Sequence, residues 1–377
     1  MKICFIVENF YPHVGGVETE FYEFSTRLAR KGHEVKVVTS SSGGVVGRHF
    51  VENVEVLYFP WMQLFGHAIP RLKDLLEPIK WADIVHTTTY STAPAVSLIC
   101  RWIGKKSIIS IQEVLGADWF KIEPNKLKAS LFWVVEQLVI RFPFSACHAI
   151  SENTKKNILK AGIKPNWVEM IYLGVEEKFY NFNIANQKVQ NIHSLFGIDK
   201  DSFVFLSYGR PGQSKGLLDY LHAIHHTLTN FRDMVLNSRV QFCFILSANP
   251  PGERKKMFDY VDNFKLGQFV KIIPSLSRDE LTSIISQSNC VVVPSKTEGF
   301  GFSAAEACAL GKNIISSNAG SLPEVVSGNV RIFESQSIHS LSEAIQAAIK
   351  NEWEFIPPKR FNWDQSVAKL EQLYNKL

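Results

Sequence analysis

The sequence predicts two doubly wound, Rossmann-like α/β halves, each a parallel sheet with helices on both faces. Three observations predict it. Short, unbroken apolar runs recur along the chain, as strands covered on both faces require. Stretches with apolar residues at helical spacing alternate with them. The alternation lapses once, between Asn181 and Lys200, in a segment rich in Asn and Gln, so the 377 residues divide into two domains of ordinary size.

Lys2–Val7 is the first apolar run, and the Pro- and Gly-bearing loop YPHVGGVE follows it. Phe21, Phe24, Leu28 and Ala29 then mark a helix over Thr19–Arg30, with Gly32 as its stop, and Val35–Thr39 returns as a strand. Further strands are expected at Val54–Phe59, Ile84–Thr87, Ser107–Ile111, Cys147–Ile150 and Val168–Ile171. Helices at Ala93–Trp102, Leu127–Arg141 and Glu152–Ala161 alternate with them. A second series opens at Phe203–Tyr208 and continues through Gln241–Leu246, Val270–Ile273, Cys290–Pro294, Asn313–Ser316 and Val330–Phe333. Its helices are Leu217–Leu228, Gly252–Asn263, Arg278–Ser286, Ser303–Ala309 and Ser340–Lys350. The expected division is residues 1–180, a linker over 181–200, residues 201–355, and a C-terminal helix within 356–377 that packs back onto the first domain. Two such halves are expected to face a central cleft at the carboxyl ends of their strands.

Composition narrows the function. Apolar residues are 46% and charged residues 20%, enough to bury a large core, and 27 phenylalanines point the same way. The net charge of +5 is too mild to argue for a nucleic-acid partner. The stretch Lys126–Lys164, with seven basic residues against Glu136 and Glu152, carries an excess equal to the whole surplus. The six cysteines stand far apart without metal-ligand spacing and read as reduced core residues. MKICFIVENF lacks the pattern of a signal peptide, and no apolar run reaches the ~20 residues of a spanning helix. The expected location is the cytoplasm, with at most peripheral contact at the inner face of the membrane.

Three loops can carry chemistry. In PSKTEGFGFSAAEACALGK (Pro294–Lys312) a strand runs through a Gly-rich turn into a helix, whose free N–H groups suit an anion. Glu298 and Glu306 flank that turn with seven residues between them, and each can accept hydrogen bonds from a vicinal diol. In SYGRPGQSKG (Ser207–Gly216) Arg210 and Lys215 suit a diphosphate. In GGVE the paired Gly15 and Gly16 let a backbone approach a ligand closely. Taken singly, each has a plainer reading: a capped helix with solvated glutamates, a surface loop with two solvated cations, an ordinary tight turn.

Taken together and in this order, the pieces resemble family 4 of the retaining glycosyltransferases, which have the GT-B architecture. The resemblance runs through FYPHVGGVETEF, AISENTKKNI, YLGVEEKFY, GRPGQSKG, VVVPSKTEGFGFSAAEACALGKNIISSNAGSLPEVV and FNWDQSVAKLEQLY. It implies that Glu298 contacts the donor sugar and that Glu306 holds the nucleotide's ribose. It implies, too, that the turn residues Phe300, Gly301, Phe302 and Ser303 bind the diphosphate with Arg210, Lys215, Gly15 and Gly16. No metal and no cofactor are implied, because these cations replace a metal. Asp199–Asp201 (DKD) precedes a strand and reads as a loop, not as a metal motif.

The chain departs from the family's pattern at Gln112, where a histidine is usual. Glutamine can donate and accept hydrogen bonds but cannot titrate, so no general-base role moves onto it, although it stays among the catalytic candidates with Glu298, Arg210 and Lys215. Glu113 and His86 are the acceptor-side candidates. Leu173–Glu176 (LGVE) stands where Asn-Gly-Val-Asp is common, and SANPPGE (Ser247–Glu253) lacks the usual glycines.

The implied activity is retaining transfer of a hexose or related sugar from a UDP- or GDP-sugar to a glycan or lipid-linked acceptor hydroxyl, in cell-surface glycan or glycolipid synthesis. A glycosyltransferase-like binding or regulatory subunit is the alternative. A nicotinamide-dependent dehydrogenase is weaker, because no GxGxxG follows the first strand. Leu131, Phe132, Trp133, Val135, Leu138 and Val139 beside Lys126, Lys128 and Arg141 fit a helix lying on an anionic lipid surface, while Phe132, Val135 and Val139 also fit an ordinary core face, with the lysines solvated.

Overall fold

The computed structural model describes residues 1–13, 15–41, 44–64, 67–182, 190–248 and 250–377. The chain forms two compact units, one of residues 1–174 with 362–377 and one of residues 175–361.

The first unit contains β1 (Lys2–Ile6), β2 (Glu34–Ser40), β3 (Gly47–Val51), β4 (Val54–Phe59), a short hairpin of β5 (Met62–Leu64) and β6 (His67–Ile69), β7 (Ile84–Thr88), β8 (Lys106–Ile111), β9 (Ala146–Ala149) and β10 (Val168–Met170). Among the described residues, eight of these form one sheet in the order β10-β9-β8-β7-β1-β2-β4-β3, parallel except for β3 at the edge. The order reverses at β1, so β1 and β7 flank the switch point where ligands of such sheets bind. Cys4, Ile6, Val85, Ile109 and Cys147 are fully buried in a core with Ile79, Val96 and Cys100 from the covering helices.

An edge strand and a helix are among the elements that the sequence reading left out. β3 is exposed along most of its length, as an antiparallel edge strand can be. The Leu72–Trp81 helix carries Pro78 in its interior. The GGVE segment is not a separate turn: Gly15 caps the helix Gly16–Arg30 and Gly16 is its first residue.

The C-terminal helix Trp363–Asn375 belongs to this unit. Trp363 is fully buried and packs edge-on against Phe24, with ring centroids 5.5 Å apart. Ser366 donates to the Tyr172 carbonyl at 2.6 Å, and Glu371 pairs with Lys31 and His33.

The second unit contains β11 (Phe203–Gly209), β12 (Val240–Leu246), β13 (Val270–Pro274), β14 (Cys290–Val293), β15 (Asn313–Ser317), β16 (Gly328–Phe333) and β17 (Glu354–Ile356). Among the described residues they form one sheet in the order β13-β12-β11-β14-β15-β16-β17, parallel except for β17. Phe205 stacks on Phe242 in its core, and Tyr220 meets Phe242 edge-on. Of the segment read as a linker, residues 183–189 lie outside the described residues. A short helix forms within it at Ile192–Phe196, capped by the Asn191 side chain. The DKD sequence lies in the turn before β11, where Asp201 pairs with Arg239 at 3.1 Å.

Candidate functional site

The switch point of the second sheet lies between β11 and β14, which are parallel neighbours. Two of the three loops singled out in the sequence leave the carboxyl ends of these strands. The β11 loop ends at Gly216, which caps the helix Leu217–Asn230 with φ +62°; a Cβ there would strike the Pro294 carbonyl oxygen. The β14 loop leads into the helix Phe302–Ala309, whose cap, Gly301, supplies no side-chain hydrogen bond.

This packing joins two predicted residues. Lys215 Nζ lies 2.5 Å from Glu298 Oε1, which also accepts from Ser295 Oγ at 3.0 Å. The small-residue turn further on holds the same loop from behind. Gly320 (φ +55°) comes so close that a Cβ would collide with the Glu298 carbonyl, which accepts from Ser321 N at 3.0 Å. That close approach accounts for the glycine and serine that follow the carboxylate pair at 320 and 321. Arg210 is exposed in the β11 loop, and no described residue pairs with it. Phe300 is buried against Phe302 and Phe361, so its side chain serves packing and only its backbone can serve a ligand. Ser303 is half-buried, and its carbonyl accepts from Tyr208 Oη at 2.9 Å.

Glu306 is buried four residues into the helix. Its Oε1 accepts from Arg278 Nη2 at 2.6 Å and its Oε2 from Tyr208 Oη at 3.2 Å. Arg278 Nε reaches Glu176 Oε1 at 2.8 Å, so one guanidinium joins two carboxylates. Burial pushes the Glu306 carboxyl up, and Arg278 pulls it part of the way back. For Arg278 itself burial works against the charge, but Glu306 and Glu176 outweigh it and hold the guanidinium charged. Sequence reasoning missed Arg278. It reads only as the first residue of a capped helix, and its single signal was the departure at Glu176, its partner 102 positions away.

In the first unit, Gln112 directly follows β8, and its Nε2 donates to Glu20 Oε2 at 2.6 Å. Glu20, on the Gly16–Arg30 helix, is fully buried, and burial raises its carboxyl to about 7 against the lowering bonds of Gln112 and Ser110. Glu113 is half-buried, and with Glu136 it adds to the effect of burial in pushing the Tyr90 hydroxyl up. His86, expected on the acceptor side, has a structural place instead. It has no accessible surface, Nδ1 meets Tyr374 Oη at 2.7 Å and Nε2 meets Ser110 Oγ at 2.9 Å. Burial, then the neighbouring His148, lowers it well below the ordinary histidine value, so it stays neutral and ties the C-terminal helix to the sheet.

The helix Lys126–Val139 does not bury an ordinary core face. Only Ala129, Glu136 and Val139 are buried along it. Leu127, Leu131, Val134 and Leu138, spaced along one side, are 82%, 59%, 45% and 60% exposed, and Phe132, Trp133 and Val135 are exposed beside them. Buried Glu136 anchors the helix from within by accepting from Leu115 N and Gly116 N, both at 2.8 Å, and from Trp119 Nε1 at 3.1 Å. No helix among the described residues is long and apolar enough to cross a membrane.

Residues 188–369 match the family described as Glycosyl transferases group 1, and residues 14–179 match Glycosyltransferase Family 4. One subunit of the human phosphatidylinositol N-acetylglucosaminyltransferase is 24% identical over 92% of this chain and 68% of its own length. The Escherichia coli O-antigen biosynthesis glycosyltransferase WclY is 25% identical over 100% of this chain and 99% of its own. Among solved structures, sucrose-phosphate synthase from Thermosynechococcus elongatus superposes with a TM-score of 0.78 at 17% identity, covering 100% of this chain and 98% of that one. HepE from Anabaena, in complex with UDP and glucose, gives 0.72 at 16% identity over the whole of both chains. With both halves matched and the fold shared, the chain belongs to the family 4, group 1 glycosyltransferases and has the GT-B fold.

Proposed function

We propose that the protein transfers a hexose or related sugar, with retention, from a UDP- or GDP-sugar to the hydroxyl of a lipid-linked or glycan acceptor. The observation that carries this reading is the Lys215–Glu298 pair at the switch point, beside the uncapped start of the Phe302–Ala309 helix. In this reading Glu298 contacts the donor sugar and Glu306 the ribose. Lys215, Arg210 and the turn amides stabilise negative charge on the diphosphate as the bond from the sugar's anomeric carbon to the phosphate oxygen breaks. The acceptor oxygen then bonds to that carbon on the same face, and its proton passes to the leaving phosphate. No metal is needed for these steps, since the cations of this chain meet the charge.

UDP in complex with HepE and the phosphatidylinositol in the human relative's name favour a UDP-sugar and a lipid-linked acceptor. The exposed apolar side of the Lys126–Val139 helix, flanked by Lys126, Lys128 and Arg141, supports a peripheral seat on an anionic membrane. Release of nucleoside diphosphate from a panel of UDP-, GDP- and ADP-sugars, with and without lipid acceptors, tests the reading. Turnover of one donor is expected. Binding without release would favour a regulatory subunit, the reading that Gln112 supports because it cannot titrate.

A further inference from the structure

The amide of Gln112 has only acceptors for company. Thr88 Oγ1, 3.4 Å from Nε2, already gives its own hydrogen to the Ser110 carbonyl at 3.0 Å, so toward Gln112 it can only accept. Glu20 Oε2, at 2.6 Å, can only accept when ionised. Both neighbours therefore demand the NH2 group, and among the described residues no donor reaches Gln112 Oε1. The residue is pinned from its other end as well, because Thr154 Oγ1 donates to its backbone carbonyl at 3.1 Å.

We propose that Glu20 is a positioning residue that locks the Gln112 amide with Nε2 inward, leaving Oε1 to accept a hydrogen bond from the incoming acceptor hydroxyl. The proposal rests on the transferase reading above and gives Gln112 a role that needs no titration of its own. The buried environment of Glu20 supports it. Oε1 of this carboxyl is buried, and His148 Nδ1 stands 3.6 Å away. The groups facing Glu20 are Gln112 and Ser110 at the end of β8, His148 on β9 and Tyr374 of the C-terminal helix. His148 is itself lowered to about 4 by burial and Tyr374 raised by burial and by Glu20, so both are neutral at physiological pH. The carboxyl of Glu20 is raised to about 7. Once protonated, Glu20 can donate to Oε1, and the lock on the amide is lost.

Two measurements test this. The first follows the side-chain 15NH2 signal of Gln112, identified by its loss in Gln112→Ala, against pH. A shift with a midpoint near 7 is expected in the wild type and no shift in Glu20→Gln. The second is the pH profile of kcat for nucleoside diphosphate release in the presence of acceptor. The wild type is expected to lose roughly tenfold from about pH 8 to about pH 6, and Glu20→Gln to lose this acid limb while melting as a folded protein. A Gln112 signal that does not move with pH, or an acid limb retained in Glu20→Gln, would overturn the proposal. If no sugar donor turns over, the function proposed above fails, whereas the amide titration still decides the Glu20–Gln112 pair.

Discussion

Lys215 and Glu298, 83 positions apart, form a 2.5 Å ion pair because β11 and β14 are neighbours and each sends its carboxyl-end loop to the same point. The cation expected to meet the diphosphate and the carboxylate expected to meet the sugar therefore orient each other. Glu298→Gln is predicted to lower transfer at least ~100-fold while changing UDP or GDP affinity only a few-fold, because the contact proposed for it is to the reacting sugar and its charge holds Lys215. Lys215→Ala is predicted to cut kcat by a similar factor at saturating donor. Equal effects of Glu298→Gln on kcat and on free nucleotide affinity, read by calorimetry, would contradict this division.

Glu306 and Arg278 are predicted to separate ligand binding from stability. Glu306→Ala removes the proposed ribose contact and should weaken donor binding by about one to two steps of 1.4 kcal/mol. Arg278→Ala leaves buried Glu306 without its cation and should destabilise the fold by about 2 kcal/mol, below the full penalty of a broken buried pair because Arg278 is a third exposed. Denaturant titration reads the second effect, nucleotide titration the first.

Chelation should leave turnover unchanged. Transfer that disappears with EDTA and returns with Mn²⁺ or Mg²⁺ would show that the cations of Arg210 and Lys215 do not suffice.

The exposed side of the Lys126–Val139 helix is predicted to bind anionic but not neutral vesicles, with release at high salt. Leu131→Ser with Leu138→Ser should weaken co-sedimentation by an order of magnitude or more, since each buried leucine contributes about 1.5–3 kcal/mol. Both side chains are largely exposed, so the fold should melt as before.

Stability against pH should expose the Glu20–His148 neighbourhood. Glu20 is raised from 4.5 to about 7, so the native state holds its proton longer than the unfolded chain does. Its contribution is therefore present below pH 4.5 and lost as pH rises through 7. His148 is lowered from 6.5 to about 4, so its contribution has the opposite sign: it is present above 6.5 and lost as pH falls through 4. The two slopes oppose each other in the wild type. Glu20→Gln removes one of them and should gain stability relative to the wild type, by up to about 3 kcal/mol, between about pH 5 and pH 8. Urea midpoints across that range measure it.

What the sequence by itself determined is local. The apolar runs of β1, β2, β4 and β7–β16 mark the strands, and the helical spacing between them marks the crossovers. The Gly-rich turn with Glu298 and Glu306 is legible because its parts lie within a few residues of one another and the helix start supplies the chemistry. Only the tertiary structure decided which side chains meet across long separations. It set Arg278 against Glu176 and Glu306, tied Gln112 to Glu20 across 92 positions, and sealed His86 beneath Tyr374. It also left Phe132 and Val135 exposed, where their spacing fits a core face equally well. Periodicity states which residues share a face of a helix or strand; what covers that face depends on how the sheets order their strands, and that order is not written in any one segment.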